Sequence, residues 1–176
     1  MANETWNFDP AHSEITFKVR HMMFSKVSGS FDDWEGTFQF NPDDPAAMEA
    51  SADINVASID TGNGDRDDHL RSEDFFDVEN HPTMQFESGE VEEASDGQFK
   101  LHGTLTICGE SNPVELDVEY HGKATDPWGN QRVGFTATTT LNRKEFGLTW
   151  NQALETGGVL VGEDVEVELN LQAVQG

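Results

Sequence analysis

Apolar and polar residues alternate along most of the chain, and that period of two predicts strands. In EITFKVR, Ile15, Phe17 and Val19 fall on one face. In GTFQF, Phe38 and Phe40 share a face, continuing a run that starts at Phe31 and passes through Trp34. ASADINVASI sets Ala50, Ala52, Ile54 and Val56 against Ser51, Asp53 and Asn55, and TMQFES gives Met84 and Phe86. QFKLHGTLTIC places Phe99, Leu101, Gly103, Leu105 and Ile107 opposite Lys100, His102, Thr104 and Thr106. The later segments are cleaner. PVELDVEYHG opposes Val114, Leu116, Val118 and Tyr120 to Glu115, Asp117, Glu119 and His121. RVGFTATTTL aligns Val133, Phe135, Ala137, Thr139 and Leu141. DVEVELNLQAV opposes Val165, Val167, Leu169, Leu171 and Ala173 to Glu166, Glu168, Asn170 and Gln172. These are half-buried antiparallel strands, apolar inside and acidic outside. The turn-forming stretches NPDDP, ASDG, CGESNP and DPWGN separate them. About eight strands at this spacing predict an all-β barrel or sandwich. A length of 176 residues suits one domain spanning 1–176.

One segment breaks the period. TGNGDRDDHLRSEDFF, residues 61–76, supplies a turn and then a short helix over DRDDHLRS. Asn63 or Asp65 can cap it, Asp67 and Asp68 suit its positive end, and Asp67 and Arg71 share a face four residues apart. Leu70, Phe75 and Phe76 can dock the helix on a sheet. Pro82 favours an extended residue before it and bounds the helical segment.

The charge balance narrows the function. With 34 acidic and 10 basic residues the formal net charge is -24. Such a field opposes binding to nucleic acid and to anionic membrane surfaces. Twelve Phe and four Trp argue against disorder. The acids are dispersed over outward strand positions, a coat that keeps a protein soluble in high salt, so a high-salt cytoplasm is the expected setting. The N-terminal MANETWNFDP has no basic segment followed by an apolar run, which points to a cytoplasmic protein.

Candidate chemistry is sparse. The six histidines have no metal-ligand spacing. NGDRDD resembles the start of a calcium loop, but Asp68 stands where that loop needs glycine and Asp74 where it needs glutamate. Cys108, the one cysteine, reads as a structural thiol at a strand end. No phosphate loop, paired-cysteine metal motif or nucleophile elbow is present. What remains is an apolar interior. An eight-strand barrel encloses side chains or one small ligand. Bulky Phe17, Phe38, Phe40, Phe86 and Phe135 alternate inside with small Ala52, Gly103, Ala137 and Thr139. The small residues either leave a lumen or make room for neighbouring rings.

Five segments carry a family resemblance: FDPAHSEITFKVRHMMFSKVSGSF, INVASIDTGNGDRDDHLRSEDFFDVENHPTMQFES, GTLTICGESNPVELDVEYHG, LNRKEFGLTWN and VGEDVEVELNLQA. In order and spacing they resemble the YceI-like, lipocalin-like polyisoprenoid-binding proteins. The acidic CGESNP turn and Met22-Met23 after His21 depart from the usual pattern. The resemblance implies an eight-stranded antiparallel lipocalin-like barrel with one short helix closing a mouth. It implies a binding protein without catalytic residues, metal or cofactor, a homodimer in several members, and a polyprenyl or quinone-tailed lipid in the lumen. The ligand-contacting residues it implies are Phe17, His21, Phe38, Phe40 and Ile54, then Phe75, Phe76, Phe86, Leu105 and Leu116, then Phe135, Ala137, Phe146 and Trp150. Arg66 and Arg71 are expected to tie the helix to nearby acids (Asp67, Glu73, Asp74). Alternatively Arg66 or Arg143 meets a polar headgroup. A lipid of roughly 40 heavy atoms gains about 12 kcal/mol from water, but it starts in a membrane, so only the difference between pore and bilayer drives loading. The rival readings are a ligand-free structural or stress-response barrel, and an enzyme acting on a small apolar substrate.

Overall fold

The alternating segments form one antiparallel sheet that curls until its ends meet. The computed structural model describes residues 3–22, 24–151 and 161–175. The strands are β1 (Glu4–Phe8), β2 (Glu14–His21), β3 (Ser25–Phe31), β4 (Trp34–Phe40), β5 (Glu49–Asn55) and β6 (Ile59–Asp60). After helix α1 (Gly64–Arg71) come β7 (Thr83–Ser95), β8 (Gln98–Ile107), β9 (Glu110–Thr125), β10 (Gln131–Asn142) and β11 (Val161–Gln175). The ring runs β1-β4-β5-β7-β8-β9-β10-β11 and closes where β1 pairs with β11. β2 takes over from β1 along β11, β3 pairs with β2, and β6 with β3. The segments thus fill eight positions of a closed antiparallel barrel with one short helix.

Three strand positions are broken at Asp or Asn residues, the first two by a side chain that competes for the backbone. Asp9 accepts from Ala11 N (3.0 Å) and turns the chain between β1 and β2. Asn55 accepts from Ala57 N (3.2 Å) and separates β5 from β6. Between β3 and β4, Asp32 accepts from Ser30 Oγ (2.8 Å) and Asp33 from Asn55 Nδ2 (2.9 Å). The continuous strand expected from Phe31 to Phe40 is therefore two strands. Phe31 and Trp34 are three apart, an odd offset that an unbroken strand would place on opposite faces.

Two apolar clusters divide the interior. At one end Trp6, Phe38, Phe40, Phe99, Phe135 and Ala173 pack together, with Phe40 and Ala173 fully buried. Phe135 meets Phe38 and Phe40 edge-on, with centroids 5.3 and 5.2 Å apart, and stacks on Tyr120 at 5.0 Å. Trp6 donates its indole N–H to Phe40 O (3.2 Å). At the other end Phe31, Ile54, Ile59, Met84, Phe146 and Leu148 form a looser ring.

Candidate functional site: a hollow end beside a filled one

The second cluster surrounds a cavity of about 580 Å³. Its wall alternates in register around the barrel: Phe17 from β2, Ala52 and Ile54 from β5, Phe86 from β7, Leu105 from β8, Leu116 from β9 and Leu169 from β11. Polar groups gather elsewhere, at Arg20, His21, Asn63, Asp65, Arg66 and His69. The first cluster stops the cavity at the far end, so the barrel is filled at one end and hollow at the other.

The expected ligand-contacting residues divide the same way. Phe17, His21, Ile54, Phe75 and Phe76 lie on the cavity wall, as do Phe86, Leu105, Leu116, Phe146 and Trp150. Phe38, Phe40, Phe135 and Ala137 do not: they are buried in the filled end, where stacked rings leave no lumen. The small inward residues divide too. Ala52 and Thr139 border the cavity. At Gly103 an added Cβ would lie 2.7 Å from the Phe86 ring and 2.6 Å from Glu87 O, so this glycine accommodates a neighbour. Phe31, Met84 and Leu148 also line the wall, although the sequence reading passed over them as contacts. Met84 was legible as an inward residue of its strand, and Phe31 was hidden by the break at Asp32 and Asp33.

α1 and the segment after it border the hollow end. Asn63 caps the helix by accepting from Arg66 N (3.1 Å). The arginines do not bind the acids expected of them. Arg66 donates from Nε to Thr61 Oγ1 and from Nη2 to Thr61 O, both 2.8 Å. Arg71 donates to Ala57 O (3.0 Å) and Ile59 O (3.1 Å), and its one acid is Asp68 (3.1 Å), not Asp67. Asp67 is buried and accepts from Thr61 N (2.9 Å). The reason is local: the bend at residues 56–61 presents the Ala57 and Ile59 carbonyls to the helix, and one guanidinium fork reaches both at once. Beyond the helix, Phe76 packs edge-on against Phe31 (6.0 Å). Phe75, His69 and Trp150 form a ring trio, with His69 4.7 Å from Trp150 and bonded to Asp74 Oδ2 (2.9 Å).

Two further groups hold this end. Cys108 donates its thiol to Phe76 O (3.2 Å), and burial, aided by Asp77, raises its pKa. It is a structural donor with little thiolate character. Arg143 is 4 % exposed and donates to Leu148 O (2.6 Å), Gly162 O (2.7 Å) and Val161 O (3.3 Å). Burial lowers its pKa, an effect that Glu163 partly opposes. Its bonds fasten the start of β11 to the turn after β10. As a headgroup contact it would have to share donors already used on carbonyls.

The wall has a second opening. The β9–β10 ladder ends at Thr138 and Asp117, although β9 reaches back to Glu110 and β10 runs on to Asn142. A space of about 640 Å³ lies there, bordered by Pro113 and Glu115 on one side and Thr140 and Asn142 on the other. Pro113 has no N–H to give a partner strand. Val114, Thr139, Leu141 and Phe146 border both this space and the cavity. Asn112 Nδ2 bridges the far end to Glu145 O (2.8 Å). The outer rim carries Lys18, Glu115, Asp117, Glu166 and Glu168, so the slot faces water.

Among the described residues no three or more His, Cys, Asp or Glu side chains converge as a metal site. Among them, too, no helix is long and apolar enough to cross a membrane.

Comparison with known proteins agrees with this architecture. The barrel superposes on the crystal structure of Burkholderia cenocepacia BcnA with a TM-score of 0.80 at 23% identity, covering 94% of this chain and 99% of that one. It superposes on a Campylobacter jejuni YCEI protein with a TM-score of 0.76 at 29% identity, covering 89% and 90%. A polyisoprenoid binding domain from Saccharophagus degradans shares the fold, with a TM-score of 0.70 at 13% identity over 97% of this chain and 98% of that one. In sequence the chain is 41% identical to a UPF0312 protein of Staphylococcus epidermidis over 168 residues, 95% of each chain. Residues 6–173 match the YceI-like domain. With that match spanning nearly the whole barrel, from Trp6 in β1 to Ala173 in β11, the chain belongs to the YceI-like family.

Proposed function

We infer that the protein binds and carries an isoprenoid lipid chain in the hollow end of its barrel. The observation that carries this reading is the apolar cavity of about 580 Å³, walled by Phe17, Ile54, Phe86, Leu105, Leu116 and Leu169. At about 30 Å³ per heavy atom, the share a water molecule takes in the liquid, that volume accepts about 20 heavy atoms, or four isoprene units. A lipid of roughly 40 heavy atoms would leave half its length outside. Apolar walls with few polar groups suit a branched hydrocarbon, whose burial is non-directional. The fold shared with a polyisoprenoid binding domain supports the same class of ligand. A binding role also accords with the rim chemistry: His69 is held by Asp74, and both Arg66 and Arg143 are engaged on carbonyls.

The test is native mass spectrometry, with organic extraction, of protein purified in high salt from its own host. The expected result is a co-purifying prenyl-chain lipid in one-to-one ratio. A protein that carries no lipid, and that takes up no geranylgeraniol when offered it, would instead be a structural barrel.

A further inference from the structure

The acidic coat is interrupted at the mouth of the hollow end, and there, unlike in the acid-free run 127–144 where Arg132 and Lys144 are paired with acids and Arg143 is buried, a cation stands exposed without an ion pair among the described residues. Residues 15–31 contain no Asp or Glu, in a chain with 34 of them, and hold Lys18, Arg20 and Lys26, three of its ten Lys and Arg residues. They form the β2–β3 hairpin, in which Arg20 and Lys26 stand directly opposite one another, both exposed. Like charges at such a pair repel. Lys26 is bonded to Glu166 on β11 (2.9 Å), whereas Arg20 makes no ion pair among the described residues. Of the other acids at that end of β11, Glu163 is bonded to Lys144 (2.7 Å) and Asp164 is exposed. At the hairpin tip Phe24 is 86% exposed and Met22 41%. Arg20 and His21 also line the cavity, so the tip and the mouth are at one place.

The other strongly exposed ring, Trp128 at 79%, provides the contrast. It lies between β9 and β10, where the neighbouring Arg132 is neutralised by Asp9 (2.7 Å) and Asp126 (2.8 Å). The strands place it at the filled end. Arg132 pairs with Val174 and His21 with Val161, thirteen residues apart on β11, or roughly 40 Å along the strand.

We propose that the β2–β3 hairpin docks the protein on a lipid bilayer, Phe24 and Met22 entering the headgroup–acyl boundary while Arg20 meets a lipid phosphate. An apolar tip with flanking cations is the chemistry that holds a segment at that interface. The net charge of -24 opposes approach to an anionic surface in every other orientation. Salt screens that repulsion beyond about 8 Å at physiological strength, so the groups in contact decide the orientation. Docking this way turns the hollow end toward the bilayer. The docking stands on the hairpin; its purpose, direct passage of an isoprenoid between membrane and cavity, rests on the function inferred above.

The test is co-sedimentation with phosphatidylcholine–phosphatidylglycerol vesicles, which needs no isoprenoid ligand. The parent is expected to bind, and Phe24→Asp to bind roughly tenfold or more weakly with an unchanged melting midpoint, because the ring is 86% exposed. Trp128→Asp should bind as the parent does, and Arg20→Gln should bind less and respond less to salt. Uptake of a fluorescent prenyl alcohol from vesicles should slow in Phe24→Asp, while its affinity for the same probe in detergent solution stays at the parent value. Equal sedimentation of parent and Phe24→Asp would overturn the docking, as would equal loss in Trp128→Asp. A parent that ignores vesicles, but whose dimer is split by Phe24→Asp in analytical ultracentrifugation, would make the tip a protein contact instead.

Discussion

Ala52 and Ala137 are both inward alanines on strands of one barrel, and enlarging each to phenylalanine separates the hollow end from the filled one. Ala52 borders the cavity, while Ala137 is 4 % exposed within the ring of Leu116, Val118 and Phe135. Each substitution adds six heavy atoms, about 180 Å³ at the liquid density of water. In the cavity this takes about a third of 580 Å³ and leaves room for about 13 heavy atoms, fewer than a four-unit prenyl chain contains. Ala52→Phe should therefore exclude such a chain. It should leave the melting midpoint unchanged or raise it, since a ring entering empty apolar space gains burial and displaces no neighbour.

At Ala137 the same ring has no space. Overpacking of a filled core costs about 1–3 kcal/mol. For a chain of this length each kcal/mol lowers the melting midpoint by about 2–4 °C. Thermal melts followed by circular dichroism, with displacement of a fluorescent prenyl probe, read both quantities. Thr139→Phe, also on the cavity wall, guards against a local clash of the ring at residue 52 with Phe86, the cross-strand neighbour of Ala52. The reasoning is refuted if Ala137→Phe melts like the parent while Ala52→Phe and Thr139→Phe both lose stability, because the hollow would then be at the other end.

Three further outcomes are expected. Arg143→Met leaves three carbonyls without their charged donor and should destabilise the fold by about 2–4 kcal/mol; an unchanged urea midpoint would show that the bonds contribute nothing net. We propose that the acidic coat is an adaptation to salt, so the melting midpoint should rise with potassium chloride as repulsion among exposed residues such as Glu115, Asp117, Glu119 and Glu168 is screened; a flat or falling midpoint argues against it. Arg132 holds Asp9 and Asp126 at about 2 by hydrogen bonds, below the ordinary carboxylate value, so their stabilisation is full above about pH 4 and lost as pH falls toward 2. The gap in melting midpoint between parent and Arg132→Gln should close over that range, and a gap independent of pH would refute the assignment.

Period-two alternation made the later strands legible, because β8 to β11 each keep one buried face over ten residues or more. The first half was harder to read. β1, β2, β3 and β4 are at most eight residues long, and the breaks between β1 and β2 and between β3 and β4 fall at Asp9 and at Asp32 and Asp33. In so acidic a chain, three more aspartates give no signal. Trp6 and Phe8 in β1 did alternate around Asn7, and Trp6 is 2% exposed, so that strand could have been found. The candidate site was legible as a set of inward residues but not as a location. Whether an inward phenylalanine fills space or borders it depends on the ring it meets across the barrel. Phe38 meets Phe135, and Phe86 fills the place left by Gly103; neither partner is near in sequence. The arginines missed the acids expected of them for a related reason: they reach carbonyls of residues 57–61, and the one acid met is Asp68.

Those arginines explain how a half-hollow barrel can hold its shape. The filled end is fixed by packing, with Phe135 and Phe40 each touching Phe38 and Tyr120, and Trp6 donating to Phe40 O. At the hollow end ring contacts such as those of Phe17 with Phe31 and Phe31 with Phe76 lie within the wall, and atoms facing empty space lose dispersion partners on one side. The side chains that bind backbone around it are of another kind. Arg66 and Asp67 hold Thr61, Arg71 holds Ala57 and Ile59, Cys108 holds Phe76, and Arg143 holds Leu148, Val161 and Gly162. Directional bonds to backbone fix the outline of a wall without occupying the space it encloses, whereas added rings would fix it by filling it. A guanidinium suits this task because one side chain reaches two or three carbonyls from the periphery. Residues 61–76, with two arginines among aspartates and a phenylalanine pair behind them, thus supply the frame and part of the lining of the same opening.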